Sequence, residues 1–161
     1  MNWDAVGAIG EVAGAVAVVA TLFYLAAQIR QNSKEIVDSR TQGILELMIK
    51  TRSELAEGRI AEIQAKIDAE KELSPEEEIR FRAHRAENMN IWEAYHFNSR
   101  AGKINSDLDE VMESRLMFSL TGDSPASLKN RTLWERTRML YSNEFRNYVD
   151  ALIESANRSD A

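Results

Sequence analysis

The sequence predicts an all-α protein, with a single N-terminal transmembrane helix followed by a helical bundle of about five helices. Two observations favour this fold class. Val12 to Ile29 is a run of 18 residues without a formal charge, and the whole chain contains only 7 glycines and 2 prolines. Four of the glycines lie before residue 44, so the remainder has few residues that break long helices. We therefore predict a transmembrane anchor at residues 1–32 and a cytoplasmic helical domain at residues 33–161.

The uncharged run has the length of a membrane span. A helix that rises ~1.5 Å per residue covers ~27 Å in 18 residues, close to the ~30 Å hydrocarbon core of a bilayer. A buried helix of a soluble bundle remains an alternative. A cleaved signal peptide is disfavoured, because residues 1–11 contain no Lys or Arg and signal peptides begin with a positively charged region.

Charged residues on either side of the run predict its orientation. Arg30, Lys34 and Arg40 follow it, and no basic residue precedes it. The positive-inside rule then places the C-terminal domain in the cytoplasm and the N-terminus outside the inner (plasma) membrane. Trp3 is expected at the level of the membrane interface.

Small residues form a stripe along one face of the predicted anchor, at spacings of three or four: Gly7, Gly10, Gly14, Ala17 and Thr21. Within the stripe, Gly10 and Gly14 form a GxxxG motif, which lets two helix backbones approach closely in lipid. We expect a homo-oligomer through this stripe. Packing on another membrane protein, or a chance occurrence in an Ala- and Gly-rich span, are the alternatives.

Glu11 lies beside the stripe and is the acidic residue of the anchor closest to the uncharged run. A carboxylate within or at the edge of a membrane is a candidate proton- or ion-responsive group, or a polar link between helices. The simpler interpretation is a side chain that extends towards the interface.

Start and stop signals divide the domain into helices. Ser74, Pro75 and Glu77 form a capping box with proline at the first helical position, and Gly58 and Gly102 are expected helix ends. Caps are expected at Ser106 and at Ser142 or Asn143. Further residues are expected to point inward from the last three helices: Leu108, Val111, Met112, Leu116, Leu120, Leu133, Trp134, Leu140, Phe145, Tyr148, Val149 and Leu152. The helix after Ser74 has apolar residues on two sides, which is typical of a central helix.

Composition excludes several classes of function. The net charge is −6, and the chain after residue 29 carries 20 basic against 24 acidic side chains. This charge disfavours a nucleic-acid partner. The chain contains no Cys, so disulfides and thiol catalysis are excluded.

Few residues suggest chemistry. Glu93 and His96 form an ExxH pair, a spacing found in di-metal carboxylate bundles, but the second ExxH and the two further Glu that such sites need are not found. We predict no catalytic residue, metal or cofactor. Arg80, Arg82 and Arg85 follow three glutamates and are interpreted as ion pairs on a solvated face.

These patterns predict a membrane-tethered, non-enzymatic interaction or scaffold protein whose partners are the lipid bilayer and a second copy or another membrane protein. The alternative is a ligand-sensing or enzymatic bundle with a pocket near Glu93 and His96. The segments Gly7–Glu11, Thr21–Leu25, Gln28–Asn32 and Asn143–Leu152, together with Trp3, resemble an uncharacterised family of small bacterial single-pass membrane proteins. That resemblance implies an anchored helical protein and no particular activity.

Overall fold

The computed structural model describes residues 3–56 and 58–159, and every regular element in these ranges is helical. Six α-helices follow one another: α1 (Trp3–Ala56), α2 (Arg59–Asp68), α3 (Pro75–Arg100), α4 (Asp109–Thr121), α5 (Pro125–Thr137) and α6 (Asn143–Ser159). One-turn 3-10 helices at Ser106–Leu108 and Arg138–Leu140 precede α4 and follow α5. The all-α prediction is confirmed.

The chain divides into two compact units, Met1–Ser39 and Arg40–Ala161. The first consists of the N-terminal part of α1. The second contains the end of α1 and helices α2 to α6. The predicted boundary at residue 32 concerns the membrane and stays a prediction, and the side chain of Trp3, expected at the interface, lies outside the described residues.

Local signals place several helix ends where the sequence predicts them. Ser74 accepts a hydrogen bond on its hydroxyl oxygen from the Glu77 backbone N–H at 3.3 Å, and Glu77 accepts one from the Ser74 backbone N–H at 2.8 Å. The capping box is therefore confirmed. The Ser142 hydroxyl accepts from the Phe145 backbone N–H at 3.3 Å at the start of α6. Gly58 has a φ of 72°, which residues with a Cβ rarely adopt, directly before α2.

The expected cap at Ser106 is wrong. The Asn105 side chain accepts a hydrogen bond from the Asp107 backbone N–H at 3.0 Å and starts the 3-10 turn instead. A short amide side chain reaches the N–H two residues ahead, which is a common way to begin a turn.

Two expected inward positions, Val111 and Leu140, are also exposed. Val111 lies about 100° around α4 from the buried Met112, because successive helical residues are rotated by that angle. Leu140 lies in the 3-10 turn, beyond the end of the α-helical register at Thr137, and is 81% exposed. On α3, the second apolar side is exposed, including Ile79 and Phe97.

The buried residues of α3 lie within about 160° of its circumference, so the helix buries one broad face. This face joins the main core of the second unit, which consists of Met89, Trp92, Tyr95, Ile104, Met112, Leu116, Leu120, Trp134, Tyr141, Phe145, Val149 and Leu152. A smaller cluster of Ile63, Ile67 and Phe81 packs α2 against α3. Ile63 and Ile67 of α2 are therefore buried against α3.

Phe145 should be the most sensitive of the aromatic core positions. It is 0% exposed and packs on Trp134, Tyr141 and Tyr148. Phe145→Ala should lower the free energy of unfolding by about 3–5 kcal/mol, because it removes buried apolar surface and leaves a cavity. Chemical denaturation of the full-length protein in detergent measures this loss. The matched control, Phe118→Ala, removes a ring that is 80% exposed and should change stability by less than about 0.5 kcal/mol. Equal losses in the two variants would contradict the assignment of the core.

Candidate functional sites

The N-terminal part of α1 carries apolar side chains on all sides, and they are exposed. Ten large ones between Ile9 and Ile29 have more than two fifths of their surface exposed: Ile9, Val12, Val16, Val18, Val19, Leu22, Phe23, Tyr24, Leu25 and Ile29. By length and composition this helix is able to cross a membrane, a criterion that a signal sequence also meets. Its most apolar stretch is not buried, unlike the core helix of a soluble bundle.

The small-residue stripe lies on this exposed helix. A Cβ added at Gly7, Gly10 or Gly14 would meet no atom within 4 Å, so packing within the described chain does not require glycine there. The Thr21 hydroxyl donates to the Ala17 carbonyl at 2.8 Å. Glu11 is exposed and makes no hydrogen bond or ion pair to a described residue.

Glu93 and His96 both contact the beginning of α6, but they do not form a pair. Glu93 accepts a hydrogen bond from the Ser142 backbone N–H at 2.8 Å. His96 stacks on Tyr148 with 4.4 Å between ring centroids, and its Nε2 lies 3.7 Å from a Glu144 carboxylate oxygen. Glu93 therefore serves to hold the chain entering α6.

A cavity of about 320 Å³ lies beside His96. Glu93 does not line it, whereas Tyr95, Ser99 and Asp109 do. The hydroxyls of Tyr95 and Ser99 each donate to the same Asp109 oxygen at 2.5 Å, and burial together with this hydrogen bond raises the pKa of Tyr95. The serine is thus bonded to a carboxylate and not to a histidine, which is not the arrangement of an activated nucleophile.

His96 Nε2 is buried and has no hydrogen-bond partner among the described residues. Burial lowers the pKa of His96, and Arg100 adds to the effect, while Glu144 and Glu93 oppose it. The imidazole is therefore largely neutral at pH 7. No group of three or more His, Asp or Glu side chains that could hold a metal ion is found in the described part of the chain.

The arginines after Ser74 do not act alike. Arg80 pairs with Glu76 at 2.9 Å, the predicted i,i+4 ion pair, and Arg82 donates to the Glu78 carbonyl at 3.4 Å. Arg85 is half-buried and has no ion pair with a described carboxylate. The interpretation of Arg85 as part of a solvated ion-pair face is wrong.

Arg85 also lines an apolar groove of about 320 Å³, together with Met89, Leu133 and Trp134. The exposed second side of α3, including Ile79, forms one wall of this groove. Sequence reasoning did not find this groove, because its walls come from α3, α4, α5 and the chain after α5, which are separate in the sequence. The only signal in the sequence was the second apolar side of α3.

Comparison with protein-family models, with curated proteins and with solved structures finds no match to this chain. The resemblance of the chain ends to small bacterial membrane proteins therefore stays a prediction.

Unfolding should depend on pH between about 5 and 6.5, the range in which histidine titrates. The chain has two histidines, and burial lowers the pKa of both His84 and His96 in the folded state. Below about pH 6.5 the unfolded chain binds protons that the native state does not, so the free energy of unfolding falls as pH falls. The loss continues until the pH passes the lowered native pKa values.

Urea denaturation of the full-length protein at pH 7, 6 and 5 measures this slope. His96→Gln should make the slope shallower, and His84→Gln in addition should remove most of the remainder. Glu77, whose pKa is lowered from 4.5 by Lys66, contributes only at more acidic pH. Constant stability of the unmodified protein from pH 7 to 5 would refute the prediction.

Proposed function

We propose that this protein is a membrane-tethered, non-enzymatic interaction protein. In this proposal α1 crosses the membrane once, its N-terminus lies outside, the helical domain lies in the cytoplasm, and copies associate through α1. The observation that carries the proposal is the exposure of ten large apolar side chains on all sides of one helix between Ile9 and Ile29.

The energetic argument is one of magnitude. Burying one Val, Leu, Ile or Phe side chain is worth about 1.5–3 kcal/mol. Nine of the ten side chains are of these types, and each is 45–73% exposed. In water they would together forgo an amount comparable to the ~5–15 kcal/mol that keeps a whole domain folded. A lipid bilayer covers every side of a helix at once, which matches apolar residues without a polar face.

Helical structure also suits this segment to lipid. Each backbone group within the helix is paired along the helix, as a membrane span requires. The Thr21 hydroxyl donates to the Ala17 carbonyl one turn back, at 2.8 Å. This polar group therefore needs no water.

The interaction role, as opposed to catalysis, is supported by the occupied polar groups of the second unit. Glu93 caps the chain before α6 and Asp109 binds two hydroxyls. The alternative of an enzymatic pocket near Glu93 and His96 needs both side chains to face one cavity, and Glu93 does not line the cavity beside His96.

The proposed topology predicts where a C-terminal reporter works. A reporter active only in the cytoplasm, fused after Ala161, should be active in bacterial cells, because Arg30, Lys34 and Arg40 follow the span. A reporter that works only outside the membrane should be inactive at the same position. The reverse pattern would contradict the topology, and release of the fusion in soluble form would contradict the anchor.

Association through α1 predicts the effect of bulk on the stripe. Gly14→Ile places a large side chain where two backbones would approach, and it should weaken the oligomer about tenfold or more in a membrane two-hybrid assay. Ala15→Ile adds a similar side chain about 100° around the helix and is the matched control. Equal association of the two variants would show that the stripe is incidental and that contacts elsewhere hold any oligomer.

A further inference from the structure

The largest cavity described in the second unit measures about 600 Å³. Four helices line it: the end of α1 from Leu45 to Arg52, α2 at Ile60 and Gln64, one face of α3, and α4 at Arg115 and Phe118. Its volume lies within the range of about 300–1,000 Å³ that is typical of small-molecule sites. All of these residues belong to the unit Arg40–Ala161.

Among the described residues, the charged side chains that line this cavity are all arginines: Arg52, Arg85 and Arg115. No Asp or Glu of the described ranges lines it. None of the three arginines forms an ion pair or hydrogen bond with a described residue. Unpaired arginines are ordinary on a solvated surface. Three of them around one cavity are less so in a chain of net charge −6. They create a local positive field that no carboxylate in the cavity wall neutralises.

Arg85 is the least solvated of the three. Its side chain is half-buried on α3, and burial lowers the pKa of its guanidinium to about 10. It is still charged at neutral pH. A partly buried charge without a partner is unfavourable, so an anion at this position would relieve an unfavourable feature of the empty site.

The rest of the wall is largely apolar. Phe81, Ile91 and Trp92 are buried where they line the cavity, whereas Ile49 and Phe118 are 67% and 80% exposed. An apolar body of a ligand would cover these exposed side chains while its charged end meets the arginines. The wall thus suits a molecule with two chemically different parts.

His84 in the same wall does not suggest acid–base chemistry. The Asn88 amide lies 3.1 Å from His84 Nε2 and also donates to the His84 carbonyl at 3.0 Å. Burial and Arg85 lower the pKa of His84, opposed by Glu87 and Glu54, neither of which lines the cavity.

We propose that this cavity binds an anionic amphiphile, a molecule with a carboxylate or phosphate head that contacts Arg85 and Arg115 and an apolar body that lies against Trp92 and Phe118. This site goes beyond the proposed function and does not depend on membrane insertion. Both a membrane lipid derivative and a soluble aromatic acid have the required chemistry.

Photolabelling of the full-length protein in phosphatidylcholine nanodiscs tests the proposal. The probe is a diazirine-bearing dodecanoate, the control probe is the dodecanol with the same diazirine, and peptide mass spectrometry maps the adducts. The dodecanoate should label peptides that contain Met48 and Phe118, and the uncharged alcohol should label them several-fold less. Equal labelling by the alcohol would overturn the role of the arginines.

Variants separate the site from general charge effects. Arg85→Gln and Arg115→Gln should each weaken binding about tenfold, the effect of one lost charge-assisted hydrogen bond. Arg136→Gln removes an exposed arginine that lines none of the cavities described above and should bind normally. Thermal unfolding followed by circular dichroism verifies that the variants fold. If Arg85→Gln does not fold, Arg52→Gln, at an exposed position on α1, provides a further variant. Unchanged labelling in folded Arg85→Gln, Arg115→Gln and Arg52→Gln would refute the site.

Competition distinguishes the two sources of ligand. If 1-naphthyl phosphate displaces the dodecanoate, the site accepts a soluble aromatic acid. If labelling persists, the site is selective for a flexible amphiphile from the membrane. Either result supports an anionic amphiphile as the class of ligand. Displacement by inorganic phosphate at the same concentration would contradict the need for an apolar body in the ligand. A failure of the dodecanoate to label the cavity would refute this binding site alone, because the reporter and association experiments on α1 test the proposed function separately.

Discussion

The constraint on which the rest of this protein depends is the removal of the apolar surface of α1 from water. Between Ile9 and Ile29 the helix has no polar face that could be turned to solvent, and its large side chains are exposed. A soluble helix of this kind would need a partner on every side. The bilayer proposed above meets this need without any further protein, and it would leave the stripe from Gly7 to Thr21 as the part of the surface that packs best against a second helix.

The second unit is stabilised differently, by aromatic packing around α6 together with polar groups that close the chain ends. Phe145 and Val149 are 0% exposed, and Trp134 donates from its indole N–H to Asp150 at 3.0 Å. Arg138 pairs with the same carboxylate, so α5, the turn after it and α6 meet at one acidic side chain. Glu93 on α3 acts similarly, because it accepts a hydrogen bond from the Ser142 backbone N–H. These polar groups thus serve to join α3, α5 and α6.

The sequence predicts those features that short-range physics controls, namely the helical class, the Ser74 capping box and the inward face of α6. Each depends on residues within about one turn of one another. Prediction from the sequence fails where the burial of a residue depends on an element that is distant in the chain. Leu140 follows the helical spacing of α5, yet the helix has already given way to a 3-10 turn. Ile79 has apolar neighbours on its side of α3, yet no helix of the described ranges covers that side and Ile79 is 59% exposed.

Arg85 shows why candidate sites are harder to predict than elements. In the sequence it follows Arg80 and Arg82 behind three glutamates, yet the positions three and four residues away from it are Phe81, Arg82, Asn88 and Met89, so no acidic side chain lies one helical turn away. Arg80 pairs with Glu76 one turn before it, whereas Glu78, one turn before Arg82, pairs with Lys129 instead. Arg85 instead shares a cavity with Arg52 from α1 and Arg115 from α4, which are 33 and 30 positions away in the numbering. Spacing rules cannot relate such positions, because their proximity is created by the packing of three helices. The charge pattern of a helical protein therefore predicts its surface pairs, while unpaired cations that gather around a cavity emerge only from the tertiary fold.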